Sequence, residues 1–182
     1  MNGLSTTVRA GLLALSVTGA ASALAQDART FRATDGSYAF QYPLSFWFDT
    51  EFADGSGERT GVKASTPQNG DVVIRFHSRP ANTVRYVSAQ TRQAIVDDYI
   101  KTVAIVPSIG FKSATMTTML GKPAVDMVFE NRRFGRPSVN RYVVTVVDGR
   151  EYSFICLYRV DKAAEFAPAC DLAVSTVRLR LR

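Results

Sequence analysis

Apolar and polar residues alternate with a period of two along most of the chain. In the segment 71–78, Val72, Ile74 and Phe76 fall on one side and Val73, Arg75 and His77 on the other, as in a strand with one core face. Tyr38-Ala39-Phe40-Gln41-Tyr42 predicts a short aromatic strand that Pro43 ends, and Ser45-Phe46-Trp47-Phe48 resumes extended structure. The period changes over 88–103. There Ile95, Val96, Tyr99, Ile100 and Val103 form one helical stripe behind Ser88 as N-cap, and Pro107 and Gly110 stop the helix. Three hairpins follow. The strand 115–120 turns through Gly121-Lys122-Pro123 into 124–130, and that strand turns through 131–137 into 139–147. Asp148-Gly149 then leads into 151–159, because both central positions of a type I′ turn need φ > 0. A second helix is expected after Asp161 as its cap. Phe166, Cys170, Ala173 and Val177 share a face of it, and Pro168 opens a fresh helical turn. Val177, Leu179 and Leu181 finally alternate with Arg178, Arg180 and Arg182, a short edge strand whose arginines face solvent. Strands, helix, strand meander, helix and last strand add up to an α+β domain built on an antiparallel sheet.

The only long apolar run lies at the start. Residues 1–25 have a secretory signal pattern: Arg9, an apolar stretch over 10–17, and the small-x-small site Ala23-Leu24-Ala25, which places cleavage between Ala25 and Gln26. The run is broken by Ser16, Thr18, Gly19 and Ser22, which leaves it short of the ~20 apolar residues of a spanning helix. The mature chain, residues 26–182, is expected to be one domain that does not span a membrane and that occupies the periplasm or extracellular space. The longest irregular stretch, 49–61, reads as an exposed loop. Its Gly55-Ser56-Gly57 lacks the third glycine and the following helix of a nucleotide-binding turn.

Composition narrows the chemistry. Hydrophobic residues make up 46% and charged residues 21%, which excludes a disordered chain. The formal charge of +6 loses one unit with Arg9, leaving a modestly basic protein. Two cysteines are too few for a four-ligand zinc site, and His77 is the single histidine. His77 is the obvious base, yet Ser78, its neighbour on a strand, points to the opposite face and cannot serve as its nucleophile. Asp97 and Asp98 are paired acids beside the apolar stripe of the first helix; a calcium site would recruit more oxygen ligands from a loop, so they read as a solvated face. An even cysteine count in an exported chain favours a Cys156–Cys170 bridge between the last long strand and the following helix. Arg132, Arg133 and Arg136, interrupted by Phe134, form the densest basic cluster, at a hairpin tip. It is a candidate surface for an acidic protein partner, an anionic lipid or a glycan; nucleic acid is not expected for an exported protein.

The stretch Asp35-Gly36-Ser37-Tyr38-Ala39-Phe40-Gln41-Tyr42-Pro43-Leu44-Ser45-Phe46-Trp47 resembles the opening of PsbP-like and DcrB-like proteins. The resemblance continues through Leu120-Gly121-Lys122-Pro123-Ala124, Asp148-Gly149-Arg150-Glu151-Tyr152-Ser153-Phe154 and Cys170-Asp171-Leu172-Ala173-Val174-Ser175-Thr176-Val177. It implies a three-layer α/β/α sandwich, shared with the Ran-binding Mog family. It also implies binding or assembly rather than catalysis: members assist photosystem assembly, bind Ran, act in envelope functions including phage entry, or chaperone secreted toxins. The photosystem proteins' candidate metal-binding residues are not placed on this chain, so no metal-ligating or cofactor-binding residue is carried over from the resemblance.

The resulting expectation is an exported, non-catalytic binding or assembly protein serving an envelope complex or a secreted partner. The alternatives are an immunity or chaperone-like partner of a toxin, and a hydrolase using His77. Intact-mass measurement of the exported protein checks the first step: the species begins at Gln26, and one that retains residues 1–25 after export indicates an anchor instead.

Overall fold

The structure, a computed structural model, describes residues 28–33, 36–49, 52–53, 59–60, 63–65, 73–103, 105–106, 108–132 and 137–180; for 47–49, 52–53, 59–60, 63–65 and 73 only the backbone is described. Residues 1–27, and with them the expected cleavage site at Ala25 and Gln26, lie outside the described residues, as do Gly55-Ser56-Gly57 and residues 133–136.

Among the described residues, five strands form the main sheet. These are β7 (Val73–Pro80), β8 (Ile109–Met119), β9 (Lys122–Asn131), β10 (Ser138–Val147) and β11 (Arg150–Arg159). All pair antiparallel, in the order β7-β11-β10-β9-β8, so the meander β8 to β11 is continuous and β7 joins at its far side. A smaller sheet of β1 (Ala28–Arg32), β2 (Tyr38–Pro43) and β12 (Arg178–Leu179) has β2 in the middle. Two short ribbons, β3 (Trp47–Asp49) with β6 (Lys63–Ser65) and β4 (Phe52–Ala53) with β5 (Arg59–Thr60), lie between β2 and β7 in sequence. The stretch 49–61, expected as a loop, therefore carries paired strands.

Alternation along the main sheet separates two cores. On one side Ile74, Phe76, Val143, Phe154 and Cys156 pack with Tyr38 and Phe40 of β2 and with Phe166, Ala169 and Ala173 of helix α2 (Ala163–Thr176). On the other, Val125, Met127, Phe129, Val144 and Val146 pack against Ile95, Val96, Tyr99 and Val103 of helix α1 (Arg92–Val103). Each Val, Ile, Met or Phe side chain among these, fully removed from water, contributes about 1.5–3 kcal/mol, and the alanines less. The result is an α+β sandwich with one helix on each face of an antiparallel sheet.

The helix starts and turns follow local chemistry. Ser88 Oγ accepts from the Thr91 N–H at 3.2 Å while Thr91 Oγ1 accepts from the Ser88 N–H at 2.9 Å, a reciprocal capping pair. Helical bonding begins there, with the Arg92 N–H donating to the Ser88 carbonyl, so Ser88 caps α1 as expected. Asp161 does not cap α2; its carboxylate is held by the Arg159 guanidinium, and Lys162 takes the cap position after a single 3₁₀ turn over Val160–Lys162. Pro168 lies inside α2 rather than opening a turn. The carbonyl it deprives of a donor, that of Ala164, belongs to an exposed residue, which limits the cost. Strand β8 begins at Ile109, well before 115, and it turns into β9 through Leu120-Gly121 rather than Gly121-Lys122-Pro123. Both turn residues are left-handed, at φ 56° and 68°, as in the Asp148-Gly149 turn at 49° and 75°.

Cys156 of β11 and Cys170 of α2 form a disulfide with Cα atoms 6.1 Å apart, both sulfurs deep in the α2-side core. The bridge closes a loop with a sequence separation of 14. Closing a loop of ~15 residues is worth about 3 kcal/mol in the chain-entropy model. Reducing it, or replacing both cysteines with Ala, is expected to lower the unfolding free energy by about that amount. Urea titration of the oxidised and reduced protein measures the difference.

Candidate functional site

Two polar clusters flank the main sheet, one on each face, and both are occupied in holding it together. Facing α1, the buried Glu151 carboxylate of β11 accepts from Arg79 Nε at 2.8 Å and from the Tyr99 hydroxyl at 2.9 Å. Arg79 also reaches Asp98 of α1 at 3.2 Å, and its guanidinium lies 5.8 Å from the centre of the Tyr99 ring. Facing α2, Arg141 of β10 grips Asp126 of β9 through Nε and Nη2 and reaches Asp171 of α2 at 2.6 Å. Burial alone would lower the Arg141 pKa, but the hydrogen bonds and charges of Asp126 and Asp171 prevail and raise it.

These clusters decide the fate of the acidic and basic candidates. Asp97 and Asp98 do not act together: Asp97 accepts from the Gln93 amide at 2.9 Å, while Asp98 is paired with Arg79. No group of three or more metal-ligating side chains occurs among the described residues. His77, half-buried on the α1 face, stands opposite Ser153 in the strand register. Ser78 faces the other way and receives Arg150 Nη2 at 3.2 Å, so the two are not a nucleophile–base pair.

The surface that remains is an edge. On one side of the main sheet β5 and β6 lie against β7, whereas β8, at the other side, has only β9 as a described strand neighbour. Most of β8 is exposed on both faces. Its register places Phe111 opposite Phe129 and Met116 opposite Val125, both of the α1-side core, so the two project on the α1 side. Phe111 leans edge-on against the Phe129 ring, with centroids 5.5 Å apart, and remains 42% exposed; Met116 remains 39% exposed. Lys112, at an irregularity in the pairing between Phe111 and Ser113, forms an exposed ion pair with Glu130 at 2.8 Å.

Arg132, just past the end of β9, adjoins this edge. It is exposed, and its N–H donates to the Ser108 carbonyl at 3.1 Å, which holds Arg132 beside the start of β8. Ile105, in the connection from α1 to β8, is 81% exposed. Arg133, Phe134 and Arg136, the remainder of the expected basic cluster, lie outside the described residues. The sequence pattern pointed to the hairpin and, of β8, only to the part from 115 onward. Ile109-Gly110-Phe111-Lys112-Ser113-Ala114 has no period of two, as suits a strand with neither face fully buried.

No family model and no curated protein matches the sequence. Solved structures do match the fold. Cyanobacterial PsbP (CyanoP) from Synechocystis sp. PCC 6803 aligns over 93% of this chain and 99% of its own, at 13% identity and TM-score 0.61. The Ran-binding protein Mog1p of Saccharomyces cerevisiae aligns over 84% and 95%, at 8% identity and TM-score 0.57. LpqN of Mycobacterium tuberculosis, involved in cell envelope biogenesis, aligns over 89% and 97%, at 9% identity and TM-score 0.54.

Tyr99, Tyr142 and Tyr158 are expected to set an alkaline limit. Burial raises the pKa of each, and for Tyr99 the negative Glu151 carboxylate raises it well above the ordinary value of 10.0. The folded protein therefore keeps protons that the unfolded chain releases. Stability is full below pH ~10 and falls as the pH rises beyond it. Tyr99→Phe flattens this decline, as denaturant titrations at increasing alkaline pH will register. At these identities the alignments describe architecture alone: the chain has the PsbP/Mog1p-type fold.

Proposed function

We propose that residues 26–182 are a single-domain, exported, non-catalytic binding or assembly protein of the periplasm or extracellular space, serving an envelope complex or a secreted partner. The observation that carries this reading is the open β8 edge beside a basic hairpin. The side chains within each polar cluster on the main sheet are already engaged, whereas the edge, which has no second strand neighbour among the described residues, presents backbone groups, Phe111, Met116 and an adjacent cation, Arg132. LpqN, described as involved in cell envelope biogenesis, and Mog1p, described as Ran-binding, support a binding role through the shared architecture.

The occupant we infer is an extended, acidic segment of a protein partner. A strand added to β8 would satisfy its outward backbone groups, and the positive charge of the chain, including Arg132, Arg133 and Arg136, selects for acidity. Phe134 would enter the contact as an apolar anchor between the arginines.

Kinetic measurements on a partner captured from envelope extracts test this. Replacing Arg132, Arg133 and Arg136 with Ser slows association, reduces its salt dependence and leaves the melting temperature nearly unchanged. Phe134→Ala raises the off-rate. Met116→Lys, which adds a gatekeeping charge to the edge, weakens binding by about tenfold. Wild-type affinity at low salt in both the triple-Ser and the Met116→Lys proteins would overturn the reading.

A further inference from the structure

The smaller sheet carries a second arrangement, remote in sequence from β8. Its outer face is the one opposite Tyr38, Phe40 and Tyr42. Arg32 of β1 and Arg178 of β12 both stand opposite Ala39 of the central strand β2, so the three form one row with a buried alanine in the middle. Two strand spacings separate the arginine Cα atoms by about 10 Å, within reach of two guanidiniums converging over Ala39. Both arginines are exposed, and among the described residues neither pairs with a carboxylate. Arg79 and Arg141, by contrast, each hold two acids.

The next row contains a recess. Strand β12 pairs with β2 only at Ala39 and Tyr38, and beyond that the chain belongs to α2. Thr176, the last residue of α2, substitutes for the missing strand: its Oγ1 accepts from the Gln41 N–H at 2.9 Å and donates to the Leu172 carbonyl at 2.6 Å. The gap left beside it has a volume of about 220 Å³ and is lined by Thr30, Phe40, Gln41, Thr176 and Arg178. The Thr30 hydroxyl and the Gln41 side-chain amide have no hydrogen-bond partner among the described residues. The recess adjoins the C-terminal end of α2, whose partial negative charge disfavours an anion, so the charges of Arg178 and Arg32 have to outweigh it.

We propose that this recess is an anion site for a phosphate-class oxyanion, held by Arg178 and Arg32 and oriented by Thr30 and Gln41. Thr30, Gln41 and Arg178 line the recess and offer donors, Arg32 stands one row away across Ala39, and no described carboxylate lies among the lining residues to repel the ligand. Paired guanidiniums suit a tetrahedral oxyanion, whose oxygens accept two N–H bonds at once. The volume is smaller than the ~300 Å³ at which sites for drug-sized ligands begin, so the phosphate group and little else enters. A phosphate monoester in solution and the headgroup of an anionic phospholipid share this chemistry.

The test is an amide-resolved NMR titration of the purified protein with inorganic phosphate against chloride at matched ionic strength, which keeps screening constant. Saturable shifts are expected at Arg32, Ala39, Gln41, Thr176 and Arg178. Arg32→Gln/Arg178→Gln is expected to weaken phosphate binding by about tenfold or more, since it removes two charge-assisted donors. Its melting temperature in chloride is expected to stay near the wild-type value, because both arginines are exposed and neither has a carboxylate partner among the described residues. Arg132→Ser serves as the control and leaves the titration unchanged. Co-sedimentation with phosphatidylglycerol and phosphatidylcholine vesicles separates the sources: retention on the former alone, lost in the double variant, assigns a lipid headgroup, and no retention with phosphate binding intact assigns a soluble phosphate. Shifts spread evenly over the basic surface, or equal phosphate affinity in wild type and double variant, would overturn the site.

Discussion

Phe154 and Val143 project from the five-stranded sheet toward α2, and Met127, Phe129 and Val144 project from the same layer toward α1, so neither face can be left to water. An antiparallel sheet commonly keeps one solvated face; this one does not, and the need to cover both faces places the remaining elements. Helix α1 suffices for one side because Ile95, Val96, Tyr99 and Val103 fall on a single stripe. The other side is wider, and α2 shares it with the aromatic face of β2, where Phe40 meets Phe154 edge-on with centroids 5.2 Å apart. The disulfide and the Arg141–Asp171 pair both fasten α2 to the sheet it covers, one by a covalent bond and one by charge.

Burial on both faces also explains what could be read from the chain in advance. Strands β9, β10 and β11 and both helices were legible because their apolar residues follow the period of the element. The Asp148-Gly149 turn was legible because its backbone needs left-handed residues. Strand β1, at the rim of the small sheet, was not: in Ala28-Arg29-Thr30-Phe31-Arg32 only Phe31 is buried, so there is no alternation to detect. The turn after β8 was misplaced by one residue because Leu120, with its φ of 56°, is not a residue whose chemistry announces a left-handed conformation. Cys156 and Cys170 could be paired from the sequence because the helix bearing Cys170 had to return to the strand bearing Cys156. The recess at Thr30, Gln41 and Arg178 could not, since it joins residues brought together only when β12 stops short of Gln41.

Arginine has two distinct uses here. Arg79 and Arg141 sit between strands and helices, each bridging two carboxylates, and removing either would leave a largely buried acid uncompensated, at Glu151 or at Asp126. Arg32, Arg132 and Arg178 have no such partner among the described residues and lie exposed at the margins. Changing the first group would cost stability, whereas changing the second, exposed and without a described carboxylate partner, would cost little, so the binding proposed at the second would be separable from folding.

If β8 is the binding edge proposed above, it has to admit a partner strand without drawing copies of the chain together. Long flat edges invite unwanted pairing, and proteins guard them with charge, proline, bulges or short length. Here the irregularity at Phe111 and Ser113 and the nearby Lys112 are concentrated at the hairpin end. From Ser113 to Met119 the pairing with β9 is regular, and the strand carries serine and threonine rather than charge. These hydroxyls keep the edge compatible with water without the strong repulsion that lysine or glutamate would impose on an incoming strand. On the proposed reading, the charge of Arg132 would disfavour another basic chain, a second copy included, and favour an acidic one. On that reading, regular backbone would supply the capacity to pair, and charge at one end of the strand would restrict which chain can use it.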